Sequence, residues 1–276
     1  MVKLKVALIQ MSVEEDAGIN LQKALLLIEQ CASLGAKLVI LPEMFLCPYQ
    51  AERFAIYAEK EGGPTWRALS AAAQANQVYL VGGSFPELDS AGKLYNTCFI
   101  FDPLGRPIGK HRKLHLFDIQ IRGKQSFRES DTLTPGSQVT VVDTPFGKIG
   151  VCVCYDLRFP ELARLMVQQG AVMLAVPGAF NMTTGPAHWE LLFRARAVDN
   201  QVTIFGCAPA RNTHSSYVSY ANSLVVSPWG EITARLGAEE DVLIAEIDLD
   251  YVEQVRQELP LLSQRRLDLY EVVQKG

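Results

Sequence analysis

The chain has 276 residues, 49% of them hydrophobic, and a formal net charge of −4. This length is enough for one large domain or two small ones. The composition argues against a nucleic-acid-binding protein, because the sequence has no basic run to neutralise phosphates, and it has no apolar stretch of the ~18 residues that a membrane span needs.

The N-terminal half of the chain alternates between predicted strands and helices. Strands are predicted at 4–11, 37–43 and 78–84, and helices from an N-cap at Asn20 to Gly35 and over 51–60 and 64–76. The segment 94–113 is predicted to form a hairpin with its turn at Asp102 to Gly105. Residues 115–138 lack hydrophobic periodicity and are predicted to form a long loop, and long loops in compact domains usually have functional roles.

The C-terminal half continues the alternation. Predicted strands at 139–143 and 148–154 pair through the turn "TPFG", and the turn "SPWGEI" leads into a last pair of strands. The other elements are strands at 172–179, 202–208 and 220–227 and helices at 160–169, 187–199 and 248–259. No repeat or interior linker divides the chain, so we expect one α/β domain in which two sheets pack face to face with helices outside.

Three segments place a reactive side chain after an apolar strand or hairpin: Glu43 ends "LVILPE", Lys113 follows the hairpin, and Cys154 ends "VCVC". Together a thiol, a carboxylate and an ammonium can hydrolyse an amide. The thiolate attacks the carbonyl carbon, and the carboxylate takes the thiol proton and later activates water. The ammonium stabilises the tetrahedral oxyanion and the thiolate, and the Tyr155 backbone N–H can be a second donor to the oxyanion.

Two cysteines lie one residue apart in this motif, and we expect them to differ in role. On a strand continuing to residue 154, Cys152 and Cys154 face the same side. Cys152 lies between Val151 and Val153 and is predicted to fill space in the core. Cys154 is predicted at the carboxyl end of its strand, where open α/β sheets usually carry their chemistry. The six cysteines have no regular spacing, which is typical of reduced thiols in a cytoplasmic protein.

Each member of this trio alone is weak evidence, since a cysteine in a strand is more often part of the core and a strand-end carboxylate is often a cap. A Cys–His protease-like site would use one of the four histidines, none of which follows a strand as clearly as Glu43. A metal site on the two cysteines would need two more soft ligands at short spacing, and none is visible. A catalytically silent binding module would be expected to lack a member of the trio, and all three are present.

The motifs "LPEMF", "HRKLHLFD" and "VCYDLRFPE" resemble the three signatures of the nitrilase superfamily, the carbon–nitrogen hydrolases, in that family's order. The resemblance covers nearly the whole chain and implies that Glu43 is the base, Lys113 the oxyanion-stabilising residue and Cys154 the nucleophile. Glu129, in "FRES", matches a second glutamate that many members place beside the lysine. The resemblance further implies a four-layer α-β-β-α sandwich as a single domain over residues 1–276, and a homodimer. No metal or other cofactor is expected, because no ligand cluster surrounds the trio and cysteine chemistry on an amide needs none.

Within the superfamily the chain is most similar to the ω-amidase branch, which hydrolyses the amide of 2-oxoglutaramate and 2-oxosuccinamate. That similarity lies in "GKLYNTC", "KLHLFDI", "SFRESDTLTPG" and "PGAFNMTTGPAHWELLFRARAVDNQV". The main alternative is the deaminated glutathione amidase branch, whose substrate carries the same 2-oxo-acid-amide head on a longer peptide. Hydrolysis of N-carbamoyl amino acids or aliphatic nitriles ranks lower.

The residues that recognise the substrate's carboxylate do not follow from the sequence. Tyr49, just beyond the Glu43 turn, is one candidate, and Arg194 and Arg196 are others because arginine makes bidentate bonds to carboxylates. Both arginines fit equally well as structural ion pairs on a helix. Phe180 and Asn181 follow a predicted strand and are expected to form a wall of the substrate pocket.

Overall fold

Two large β-sheets with helices on their outer faces form the protein. The computed structural model describes residues 3–123 and 125–275. The strands are β1 Lys3–Gln10, β2 Leu38–Ile40, β3 Tyr79–Val81, β4 Phe85–Leu88, β5 Leu94–Phe101, β6 Pro107–Arg112, β7 Asp118–Ile121, β8 Gln125–Arg128, β9 Thr140–Val142, β10 Lys148–Val151, β11 Ala171–Pro177, β12 Thr203–Cys207, β13 Leu224–Val226, β14 Ile232–Arg235 and β15 Asp241–Asp248. The α-helices are α1 Ala17–Ser33, α2 Pro64–Asn76, α3 Pro160–Gln168, α4 Gly185–Asn200 and α5 Tyr251–Glu258.

Each large sheet has a parallel centre and antiparallel edges. The first has the order β15-β1-β2-β3-β5-β4, with β6 also paired to β5, and the second has the order β14-β13-β12-β11-β10-β9. Strands β1, β2 and β3 are parallel, as are β10, β11 and β12. The carboxyl ends of the parallel strands in each sheet therefore lie along one edge of that sheet, the usual location of sites in such folds.

Alternating side chains on the first sheet face two different cores, as strand geometry requires. Val6 and Leu8 of β1 pack with residues of the second sheet such as Leu174. Ala7 and Ile9 of the same strand pack instead with α1 and α2. Helices α3 and α4 cover the second sheet with apolar side chains that belong to the core between and behind the strands. This arrangement confirms the expected four-layer α-β-β-α sandwich.

Helix α1 begins earlier than the sequence pattern predicted. Its N-cap is Asp16, whose Oδ1 accepts from the backbone N–H groups of Gly18 and Ile19 at 2.7 and 3.1 Å. The predicted N-cap, Asn20, is instead a fully buried residue in the first turn of the helix. Its side chain bonds to the backbone of Glu14 and Leu46, so its polar groups serve a tertiary contact.

The prediction of an unstructured loop at 115–138 was wrong. This segment contains the antiparallel pair β7 and β8 and a 3₁₀ helix at Glu129–Asp131. Ile119 pairs with Phe127, and strands of four residues are too short to produce a clear periodicity. The predicted helix at 51–60 is a 3₁₀ helix at Ala51–Tyr57.

The strand before the two neighbouring cysteines is also shorter than predicted. β10 ends at Val151, and Cys154 is the first residue of a 3₁₀ helix at Cys154–Arg158. The two thiols therefore do not share a strand face, and the argument from strand alternation was wrong. Further along the chain, the two strands after the "SPWGEI" turn lie in different sheets, with β14 beside β13 and β15 beside β1.

Candidate active site

An ammonium group lies between two carboxylates where segments from the first sheet and the β7–β8 region meet. Nζ of Lys113 is 2.9 Å from Oε1 of Glu43 and 3.0 and 2.9 Å from Oε1 and Oε2 of Glu129. All three side chains are fully buried. Lys113 directly follows β6 and Glu43 lies three residues after β2, so the backbone of the sheet sets where both side chains enter the site.

Neutral hydrogen-bond donors fix the orientation of both carboxylates. The Asn96 side-chain amide donates to Glu43 Oε1 at 2.9 Å, and the Ala179 backbone N–H donates to Glu43 Oε2 at 2.8 Å. Glu129 accepts the Tyr49 hydroxyl at 2.6 Å and the Phe117 backbone N–H at 2.6 Å. Because each oxygen already has a defined partner, neither carboxylate is free to rotate away from Lys113.

The charges in this cluster are interdependent. Burial alone would lower the pKa of Lys113, but Glu129 and Glu43 outweigh burial and raise that pKa. Burial is also the main cause of the raised pKa of Glu129, which Lys113 partly opposes. Lys113 is therefore held as a cation at neutral pH, and it provides positive charge in a site closed to water.

The Cys154 turn, which is the 3₁₀ helix at Cys154–Arg158, places the Cys154 thiol beside the Glu43 carboxylate. The thiol interacts directly with that carboxylate. The φ angle of Cys154 is 49°, in the left-handed region that side chains other than glycine rarely occupy. Tyr155 is the second residue of this 3₁₀ helix, and the first N–H groups of a helix lack partners within the helix. Its backbone N–H is thus positioned at the same helix terminus as the thiol.

Cys154 is a protonated thiol at rest. Burial is the largest cause of its raised pKa, and the nearby Glu43 carboxylate raises it further, whereas Lys113 lowers it. The resting thiol therefore needs a base to become a nucleophile, and Glu43 is the carboxylate in contact with it. Lys113 favours the thiolate form, as expected from the sequence, but burial and Glu43 outweigh it.

Aromatic rings pack around Arg158, four residues after Cys154. The Tyr155 ring packs against Phe117 with centroids 5.1 Å apart, and Phe180 packs against Trp189 at 5.0 Å. The guanidinium of Arg158 lies 4.6 Å from the Phe180 ring centroid and 5.4 Å from that of Tyr155. Tyr155 and Phe180 thus both contact the guanidinium of Arg158.

The other sequence candidates lie elsewhere or have structural partners. The Tyr49 hydroxyl points into the charged cluster, 3.1 Å from Lys113 Nζ. Asn181 Oδ1 accepts the backbone N–H groups of Thr183 and Thr184, both at 3.0 Å, just before α4. Arg196 donates to the Leu157 carbonyl at 3.1 Å.

Arg194 lies farther out. Its Nε donates to the Gly230 carbonyl at 2.8 Å, and its guanidinium pairs loosely with Glu190. Neither Arg194 nor Arg196 therefore presents its guanidinium to the thiol, which disfavours both as carboxylate-binding residues.

Four residues of the site were missed by sequence reasoning: Asn96, Asp156, Arg158 and Tyr217. Asn96 is a buried polar residue inside the apolar strand β5, a signal that was available in the sequence. Asp156 and Arg158 lie in the motif "VCYDLRFPE", but their contacts depend on segments distant in the sequence. Tyr217, whose ring stacks on Tyr49 with centroids 4.5 Å apart, comes from a segment without regular structure.

No group of three His, Cys, Asp or Glu side chains within residues 3–123 and 125–275 has an arrangement that could hold a metal ion. Over the same ranges, none of the helices is both long and apolar enough to cross a membrane. The residues at the site are those expected for acid–base and nucleophilic chemistry on a carbonyl group.

The chain is similar to known enzymes that hydrolyse carbon–nitrogen bonds, in agreement with the geometry of the site. The family model for carbon-nitrogen hydrolases matches residues 5–257. Among curated proteins, the chain is 52% identical to omega-amidase NIT2-A of Xenopus laevis over 275 residues, which cover 100% of this chain and 99% of that protein.

Two solved structures extend the comparison. The chain is similar to Saccharomyces cerevisiae Nit3, of branch 10 of the nitrilase superfamily, with a TM-score of 0.88 and 46% identity over 96% of this chain and 97% of that one. It is also similar to a mutant amidase from Nesterenkonia sp. AN1, with a TM-score of 0.74 and 25% identity over 93% and 98% of the two chains. In that mutant, acrylamide has undergone Michael addition at the active-site cysteine.

The two neighbouring cysteines provide a matched pair of substitutions. Cys154→Ala removes the attacking atom and is expected to lower amide hydrolysis by several orders of magnitude while the fold persists. Cys152→Ala, at a residue 3% exposed in the core, is expected to retain most activity and to lose about 1–2 kcal/mol of unfolding free energy. Amide turnover and thermal denaturation of both variants test this assignment, which the reverse pattern would contradict.

A second prediction separates the catalytic role of Lys113 from its structural one. Lys113→Met leaves two buried carboxylates unpaired, so we expect a loss of about 3–5 kcal/mol in stability and a roughly 100- to 1000-fold loss in kcat/KM. Adding Glu129→Gln removes one of the negative charges and should recover most of the stability, but not the activity. If the double variant regained wild-type turnover, Lys113 would be only a structural counter-ion.

Proposed function

The chain belongs to the carbon–nitrogen hydrolase family, and we propose that it is an ω-amidase, which converts 2-oxoglutaramate or 2-oxosuccinamate into the 2-oxo dicarboxylate and ammonia. The observation that carries this proposal is the convergence of a thiol, a carboxylate and a buried ammonium on one point at the strand ends. Similarity over the full chain to proteins named omega-amidase supports the substrate class.

In the proposed acylation step, Glu43 takes the proton of Cys154 as the sulfur attacks the amide carbon. The carbonyl oxygen becomes an oxyanion, stabilised by Lys113 Nζ and the Tyr155 N–H. Glu43 then returns the proton to the nitrogen as the C–N bond breaks, and ammonia leaves. The product is a thioester on Cys154 with Glu43 again ionised.

Deacylation repeats these roles with water as the nucleophile. Glu43 takes a proton from water, whose oxygen attacks the thioester carbon, and the same donors stabilise the second oxyanion. When the C–S bond breaks, the sulfur recovers the proton from Glu43 and the carboxylic acid product is released. Glu129 and Tyr49 do not exchange protons in this scheme, and they hold Lys113 in place.

Arg158 is the group best suited to bind the substrate's distal carboxylate. Its nearest polar partner is Nδ1 of His188, 2.9 Å from Nη1, and its Nε is buried without a hydrogen-bond partner among the described residues. Burial lowers the pKa of Arg158, while the nearby Cys154 opposes that shift. A guanidinium without a carboxylate partner, close to the nucleophile, is a ready site for an anionic substrate.

This assignment predicts which substrates are hydrolysed well. 2-Oxoglutaramate and succinamate should be good substrates, while butyramide, which lacks the carboxylate, should be poorer by orders of magnitude because the buried donors stay unpaired. Nitriles should be poorer still. The measurement is kcat/KM across the series, and butyramide within tenfold of succinamate would contradict carboxylate recognition.

Arg158→Gln tests the residue itself. We expect at least a 100-fold loss of kcat/KM on succinamate but less than a threefold change on butyramide, because only the first substrate uses the guanidinium. Arg164→Gln, on α3, is the matched control and should change neither value. Equal losses on both substrates would show that Arg158 stabilises the Cys154 turn and does not bind the substrate carboxylate.

The competing activity is hydrolysis of deaminated glutathione. Its substrate presents the same head group but needs space for a longer peptide. Comparing kcat/KM for 2-oxoglutaramate and deaminated glutathione at equal enzyme concentration decides between the two. A preference for deaminated glutathione would change the substrate and leave the roles of Glu43, Lys113 and Cys154 intact.

We further propose that the enzyme is a cytoplasmic homodimer. All six cysteines are free thiols, which fits a reducing compartment. Leu191 and Val198 lie two turns apart on the same face of α4, and they are 62% and 39% exposed. Trp229 beside them is 49% exposed. These residues line one shallow depression, and an apolar surface of this kind is typical of an interface between subunits.

The dimer proposal predicts a solution mass twice that of the chain. Leu191→Asp places a charge in the apolar surface on α4 and should shift the protein toward monomer at micromolar concentration. Leu26→Asp, at a leucine that is 66% exposed on α1 in the opposite outer layer, is the control and should leave the mass unchanged. Light scattering after size-exclusion chromatography makes the measurement, and a monomeric wild type would refute the proposal.

A further inference from the structure

Asp156 connects the two segments that carry the nucleophile and the ammonium. Its Oδ2 accepts the backbone N–H of Val153, the residue before Cys154, at 3.0 Å. Its Oδ1 accepts the N–H groups of Leu114 and His115, which directly follow Lys113, at 3.2 and 2.9 Å. One carboxylate therefore bonds to the backbone on the flank of each catalytic residue.

Two imidazoles also contact the Asp156 carboxylate, one at each oxygen. His111 Nε2 lies 2.9 Å from Oδ2, and His115 Nδ1 lies 2.7 Å from Oδ1. His111 also contacts the Thr140 hydroxyl at 3.1 Å, which ties the cluster to β9. Asp156 is 1% exposed, so all five of its partners are supplied by the protein itself.

This cluster favours an ionised Asp156. Burial opposes ionisation, but the two histidines and the Val153 N–H outweigh burial and hold the pKa of Asp156 well below its usual range. The cluster is not a metal site, since no metal-binding group of His, Cys, Asp or Glu is found among the described residues. The Asp156 bonds given above go to the backbone beside Cys154 and Lys113, which is the route by which Asp156 can position both residues.

We propose that Asp156 is the positioning residue of this active site: it fixes the Cys154 turn relative to the end of β6 and thereby sets the distance between the attacking sulfur and the Lys113 ammonium. The left-handed φ of 49° at Cys154 is costly for a side chain other than glycine, and it persists only where neighbouring bonds enforce it. The bond from Val153 to Asp156 is one such constraint.

The expected effect is large, because a misplacement of about 1 Å in a catalytic group can lower the rate about 100-fold. Asp156→Asn keeps the shape of the side chain but replaces one acceptor oxygen with an NH₂ group. That group donates, and each oxygen of Asp156 accepts at least one backbone N–H, so in either orientation a donor would face a donor. At least one of the two connected segments must then shift.

The test compares Asp156→Asn with Asp102→Asn. Asp102 is also a buried aspartate that accepts backbone N–H groups, those of Leu104 and Arg106 at 2.9 Å, but in a hairpin turn outside the site. We expect Asp156→Asn to lower kcat on 2-oxoglutaramate about 100-fold, with KM changed less than threefold. Asp102→Asn should keep kcat within threefold at a similar loss of thermal stability. Folded Asp156→Asn with kcat within threefold of wild type would overturn the proposal.

Alkylation of Cys154 by iodoacetamide gives a readout that needs no amide substrate. If Asp156 holds Lys113 near the thiol, Asp156→Asn should slow alkylation about tenfold, and it should have little further effect in a Lys113→Met background. Independent, multiplicative effects in the double variant would contradict action through Lys113. If the wild type fails to hydrolyse 2-oxoglutaramate, the proposed substrate is wrong, while the alkylation result still decides the role of Asp156.

Asp156→Glu covers the case in which the asparagine variant does not fold. It retains the charge that the two histidines face but lengthens the side chain by one methylene, which should displace the connected segments while the protein stays folded. We expect kcat to fall at least tenfold and the alkylation rate to fall with it. Wild-type kcat in this variant would overturn the proposal.

Discussion

The buried Lys113 ammonium is the interaction on which the rest of the site depends. It lies within 3.0 Å of both Glu43 and Glu129, and all three side chains are closed to water. Two carboxylates buried side by side without a cation would not both stay ionised, and an ammonium buried alone would lose its proton. Together they form one buried cluster in which the ammonium is paired with both carboxylates. The neighbouring bonds from Tyr49 and Asn96 serve to keep that arrangement in one geometry.

The nucleophile enters this charged cluster from the second sheet. Cys154 lies after β10, whereas Glu43 and Lys113 follow strands of the first sheet, so the site exists only because the two sheets pack face to face. The apolar core between the sheets thus holds catalytic groups in place that no local sequence contact connects. Asp156 adds a direct polar link across the same boundary, from Val153 to Leu114 and His115.

The resting protonation states set the order of events. Burial and Glu43 keep the Cys154 pKa high, so the thiol is protonated at rest. In the proposed mechanism, proton transfer to Glu43 accompanies attack, and the Lys113 cation stabilises the negative charge that moves onto the carbonyl oxygen.

The sequence by itself determined the order of most strands and helices and the layered architecture, because apolar periodicity and turn residues are local signals. Short motifs in a fixed order also pointed to Glu43, Lys113, Glu129 and Cys154, which the fold brings together. The hairpin at β7 and β8 and the early end of β10 were not predicted, since strands this short produce no clear pattern. Only the tertiary structure decided which polar groups surround those residues. Asn96, Asp156, Arg158 and Tyr217 make their contacts with segments far apart in the chain. No local sequence pattern encodes such contacts, because they depend on how the two sheets and the connecting segments pack.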